Sequence, residues 1–160
     1  MEKDNIIKCL INSPSILKDL IESIPKNRYY KSFNKGIWSI YENINHLVIT
    51  QIMLLKRIQL FIKEDKPKII PFVPDENKKK GKINPKPIEE LLKAFSLWRD
   101  KQIQQIKSVD DSMWEKKALH PEYSQYAFSI LIRHILLHDY FHFHRIEELG
   151  FLKEENIKII

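Results

Sequence analysis

The chain has 160 residues, near the usual size of one domain, and its 43% apolar and 30% charged content excludes a disordered or fibrous protein. Net charge is +6, from 27 basic and 21 acidic residues. Eight lysines and four acids fall between Lys63 and Pro87, so that segment carries +4 and the rest only +2, which argues against a nucleic-acid surface spread over the fold.

Met1 to Leu10 lacks the apolar region of a secretory signal, and the apolar stretch Leu47 to Leu55 is too short to span a bilayer. The lone Cys9 offers neither an internal disulfide nor a paired-cysteine metal site. The expected address is therefore cytoplasmic. Ile6, Ile7, Leu10 and Ile11, then Ile16, Leu17, Leu20, Ile21 and Ile24, fall at helical spacing and predict a first helix. Ser13-Pro14 in its middle has the residue types of a helix start and predicts an offset or kink, and Pro25 closes the helix. After Arg28, Tyr29, Tyr30 and Gly36, the stretch Trp38-Ser39-Ile40-Tyr41-Glu42 sets Ser39 and Glu42 at capping-box spacing. A second, largely apolar helix is expected from about Ile40 to Ile62.

Lys63 to Lys86 carries Pro67, Pro71, Pro74, Gly81 and Pro85, with Ile69, Ile70, Phe72 and Val73 among them, and reads as a long crossover loop. Two roles suit it: foremost a solvated connection docked by Phe72, and second a flap over a pocket. The third helix starts near Pro87 and Ile88 and should bury Leu91, Leu92, Phe95, Trp98, Ile103 and Ile106. Ser108 to Leu119 is a shorter helical or turn segment, and His120-Pro121 breaks the chain. A fourth main helix is expected from about Ala127 to Leu149, with Gly150 as its C-terminal cap. The whole, residues 1–160, is read as one all-α domain, a four-helix bundle.

The last helix reads Arg133-His134-Ile135-Leu136-Leu137-His138-Asp139-Tyr140-Phe141-His142. At about 100° per residue, His138 and His142 lie roughly 40° apart and one turn apart, in the apolar seam with Leu131 and Leu149. Two imidazoles in such a seam need polar partners, and residues four apart can converge on one transition metal. His46, on the apolar second helix, is the third candidate. His134 lies nearer the seam's edge and is a fourth ligand, a hydrogen-bonding neighbour of the site, or simply half-buried; the last reading leads. His144 should be exposed, and His120 structural.

With Trp38-Ser39-Ile40 opening the second helix, His46 inside it, and His138-Asp139 followed by His142 on the last, the chain resembles the DinB/YfiT-like superfamily over essentially its whole length. The resemblance implies an up-down-down-up bundle, a homodimer, and nickel, zinc or a related ion held by His46, His138 and His142. Relatives include thiol S-transferases that use bacillithiol or similar low-molecular-weight thiols, mycothiol-dependent isomerases, and proteins described as metal-dependent hydrolases. Many carry a Gly-Gln or a Gln after the second histidine, where this chain reads Phe143-His144-Arg145-Ile146.

Three ligands with an open position describe a catalytic ion better than a structural one. The leading expectation is a metal-dependent enzyme that transfers a low-molecular-weight thiol to an electrophilic small molecule. Arg145, one turn past the pair, is either an anchor for an anionic ligand group or a snorkelling rim residue. A hydrolase would use the same ion to activate water, with Asp139 and Glu42 as the candidate carboxylates. A non-catalytic, metal-stabilised binding protein is the remaining alternative. Neither nucleic acid nor membrane is expected as a partner.

Overall fold

The structure is a computed structural model, and it describes residues 2–33, 35–70 and 86–158. Four long helices dominate: α1 (Lys3–Ser23), α2 (Ile40–Lys63), α3 (Ile88–Lys107) and α5 (Phe128–Phe151), with a single turn, α4 (Asp111–Trp114), between the last two. The capping box at the start of α2 is present in full. The Ser39 side chain accepts from the Glu42 amide, and the Glu42 carboxylate accepts from the Ser39 amide.

Two expectations about helix ends are corrected. Ser13 does not start a new helix, because α1 runs unbroken through Pro14. Proline has no N–H to give the Leu10 carbonyl, and the Ser13 hydroxyl donates to that carbonyl instead, at 3.0 Å. Gly150 is not a C-terminal cap either. The helix continues to Phe151, and a Cβ at Gly150 would stand 2.6 Å from Ile24 Cδ1 and Cγ1, so the glycine serves close packing between α5 and the end of α1. The left-handed glycine is Gly36, at φ 87°, in the connection that leads into α2.

Two apolar clusters define the topology. One joins the end of α1 (Leu17, Ile21), the start of α2 (Ile40, Ile44, Leu47), the start of α3 (Ile88, Leu91, Phe95) and the end of α5 (Phe143, Ile146, Leu149). The other joins the start of α1 (Ile6, Leu10), the end of α2 (Leu54, Ile58, Phe61), the end of α3 (Ile103, Ile106) and the start of α5 (Phe128, Leu131, Ile135). Helices α1 and α5 therefore run one way, α2 and α3 the other, in the up-down-down-up order. α2 and α1 each pack on both α3 and α5, which puts α1 and α2 on one diagonal.

Between the clusters lies a belt of buried polar side chains: Ser13, Gln51, Arg99, Gln102 and Asp139. Arg99 and Asp139 form an ion pair with no solvent exposure, and Arg99 also donates to Gln102, which donates to the Gln51 carbonyl at 2.9 Å. The sequence reading put Trp98 on the buried face. The structure leaves Trp98 half-buried, under the Lys101 ammonium, and turns Arg99 inward.

The Ser108 to Leu119 segment holds α4 and then β1 (Lys117–Ala118), which pairs antiparallel with β2 (Tyr126–Ala127), while Lys68 bridges to Leu119. Strands of two residues leave no alternating pattern to read. Of the crossover loop expected over Lys63 to Lys86, residues 71–85, with the docking candidate Phe72, lie outside the described residues, and the two readings of the loop with them. Among the described residues no helix is long and apolar enough to cross a membrane.

Candidate metal centre

Helix α5 carries its buried stripe on a broad face, and Phe128, Ile135, Asp139 and Ile146 lie near its middle. His142 sits roughly 40° and His138 roughly 80° off that middle at 100° per residue. The seam is thus centred on Asp139, and the two histidines occupy the flank that faces α2, where the bundle opens to solvent. His46 meets them there from α2, which runs antiparallel to α5.

The Nε2 atoms of His46 and His138 are 3.1 Å apart, and one ring nitrogen from each of His46, His138 and His142 lies within 4.8 Å of the others. Burial lowers the pKa of all three. His138 falls to about 4, through desolvation and then the charges of His46 and Arg99, and His142 falls to about 3, through desolvation and then its two histidine neighbours. The rings are therefore neutral at pH 7, the form that ligates metal. Two imidazole nitrogens 3.1 Å apart share at most one proton, so a cation between the rings would suit the lone pairs that remain. The cluster fits a divalent transition metal.

His46 and His142 open onto a cavity of about 340 Å³, walled also by Gly36, Ile37, Trp38, Asn43, Phe141 and Arg145, with His138 behind them. Trp38 lies nearly parallel to His142, at 6.1 Å between ring centres, and packs against His46 at 4.9 Å. Asn43, buried, reaches His142 Nδ1 at 2.8 Å.

The sequence profile of the DinB superfamily matches residues 10–146. The chain belongs to the DinB superfamily. A search of curated proteins found no significant match. Among solved structures, the DinB fold seen here is similar to a protein described as "YfiT from Bacillus subtilis is a probable metal-dependent hydrolase with an unusual four-helix bundle topology". The two share 19% identity over 93% of this chain and 87% of the other, with a TM-score of 0.77.

Other residues singled out in this DinB chain are placed as follows. Glu42 is engaged in the capping box, its Oε2 accepting from both the amide and the hydroxyl of Ser39. Asp139 points into the bundle, where Arg99 holds it; burial pushes its carboxyl up to about 6 against the pull of that guanidinium. Arg145 lines the cavity, but its guanidinium donates to Glu148 at 2.9 Å and to the Lys158 carbonyl at 2.5 Å, tying down the C-terminal segment. His134 stays outside the three-histidine group, half-buried against Tyr123 and Tyr126. His144 is exposed, and His120 stacks on Tyr126 at 4.6 Å. Asn43 and the wall residue Phe141 were missed. Asn43 precedes His46 by three positions on a helix, a spacing that puts both on one face.

Proposed function

We propose that this DinB chain holds one divalent transition metal, zinc or nickel, through His46, His138 and His142, and uses it to transfer a low-molecular-weight thiol to an electrophilic small molecule. The convergence of three neutral imidazoles, two of them on the wall of an open cavity, carries the metal assignment. When bound, the ion would supply Lewis acidity at its open side and stabilise a thiolate there. The chain's own residues do the rest. The three histidines fix the ion's position, Trp38 and Phe141 narrow the cavity with aromatic surface, and Arg145 lines it while its guanidinium holds the C-terminal segment.

Thiol transfer is favoured over hydrolysis by the two carboxylates. Water activation gains from a free carboxylate beside the ion. Both sequence candidates, Glu42 and Asp139, are engaged elsewhere, whereas a thiol ionises readily beside a metal without such a base. Hydrolysis is the second reading, supported by the description of the similar Bacillus subtilis structure. The deciding experiment follows loss of a chromogenic electrophile by the zinc- or nickel-loaded protein, with and without added thiol, beside a His138→Ala variant. Thiol-dependent turnover that the variant lacks supports the proposal. A rate unaffected by thiol, or equal in the two proteins, sinks it.

A further inference from the structure

The first turn of α2 decides which nitrogen of His142 carries a proton. Its logic starts at Ser39, whose φ and ψ are those of an N-cap and whose side chain and amide are both locked to Glu42. The Ser39 carbonyl accepts from the Asn43 backbone amide at 3.1 Å and lies 2.9 Å from the end of the Asn43 side chain. A carbonyl oxygen only accepts hydrogen bonds, so the Asn43 atom facing it is Nδ2, the donor. The other end of the amide, Oδ1, is then the atom 2.8 Å from His142 Nδ1. Being an acceptor, it requires that nitrogen to bear the hydrogen. The lone pair of His142 is left on Nε2.

We infer that Asn43, held by the Ser39–Glu42 capping box, is a positioning residue that fixes His142 as its Nδ1–H tautomer and presents Nε2 to the centre. The inference rests on the metal reading only for the use made of that lone pair. It gives Glu42 a role at the site without contact with any reacting group, since the carboxylate locks the residue that orients the amide. It also makes the ligands unequal. His138 Nδ1 is buried and has no hydrogen-bond partner among the described residues, so nothing there fixes its tautomer as Asn43 does for His142.

The test uses the full chain free of metal. Nitrogen-15 NMR of the histidine rings, with His142 assigned by comparison with His142→Ala, should show protonated Nδ1 and unprotonated Nε2 at pH 7. Asn43→Leu, which removes the acceptor, should give a mixed tautomer and bind zinc about 10- to 100-fold more weakly by competition titration. Asn43→Asp, which gives up the donor to the Ser39 carbonyl but keeps an acceptor for Nδ1, should retain the Nδ1–H tautomer. A wild-type His142 protonated on Nε2 overturns the inference, as does an Asn43→Leu protein whose His142 tautomer is unchanged. Should the wild type bind no zinc, the metal reading falls, and the tautomer spectrum still decides this one.

Discussion

Each histidine of the centre is useful only while neutral and oriented, and single substitutions test this directly. Zinc present at 100 times its Kd should stabilise the wild type by about 2.7 kcal/mol. The His46→Ala, His138→Ala and His142→Ala variants should show little of that gain in thermal melts with and without the ion; a shift in His46→Ala equal to that of the wild type would remove His46 from the ligand set. The buried pair behaves differently. Arg99→Met alone leaves the Asp139 carboxylate without its partner and should cost about 3–5 kcal/mol in urea unfolding, whereas Arg99→Met with Asp139→Leu should cost far less. Legibility in the sequence divides along the same line. The four-residue step from His138 to His142 is visible in one dimension because both ends lie on one helix. Arg99 opposite Asp139 is not, because charged residues on two helices look like solvated surface until the fold brings them together.

At the scale of elements, periodicity located the four long helices, and Ser39 with Glu42 marked the start of α2 correctly, because caps and apolar stripes are local properties. What escaped was local chemistry answered by a distant neighbour. Gly150 looked like a terminator, yet its missing side chain makes room for Ile24. Gly150→Ala should therefore lower the melting temperature, although alanine is the better helix former by about 1 kcal/mol. In an Ile24→Ala background the same change should become neutral or stabilising, and a penalty that persists there would rule out the contact as its cause. Pro14 misled in the same way, since the Ser13 hydroxyl takes up the carbonyl that proline leaves without a donor.

For the molecule as a whole, the buried histidines set a pH dependence. In the unfolded chain a histidine titrates near 6.5, whereas His138 and His142 titrate at about 4 and about 3 in the fold. The unfolded state thus binds more protons below pH ~6.5, so stability is full above that value and falls as the pH drops towards the folded pKa values. Asp139, raised to about 6, works in the opposite sense between pH 6 and its unfolded value near 4, but it is one group against two. The urea midpoint of the metal-free protein should decline from pH 7 to pH 5; a flat profile would mean the rings are not desolvated.

The helix order carries one more consequence, for how the chain is made. Each apolar cluster takes residues from both α1 and α5, the earliest and the latest of the four long helices in chain order. A nascent chain that has emerged only as far as α3 has three helices with a missing wall along their full length, and α1 and α2 sit on a diagonal, so they cannot close as a hairpin. Productive collapse waits for the segment that also brings His138 and His142. Long sequence separations of this kind slow folding relative to a bundle of successive hairpins, and until α5 arrives the apolar faces of the earlier helices stand open to whatever holds unfinished chains apart.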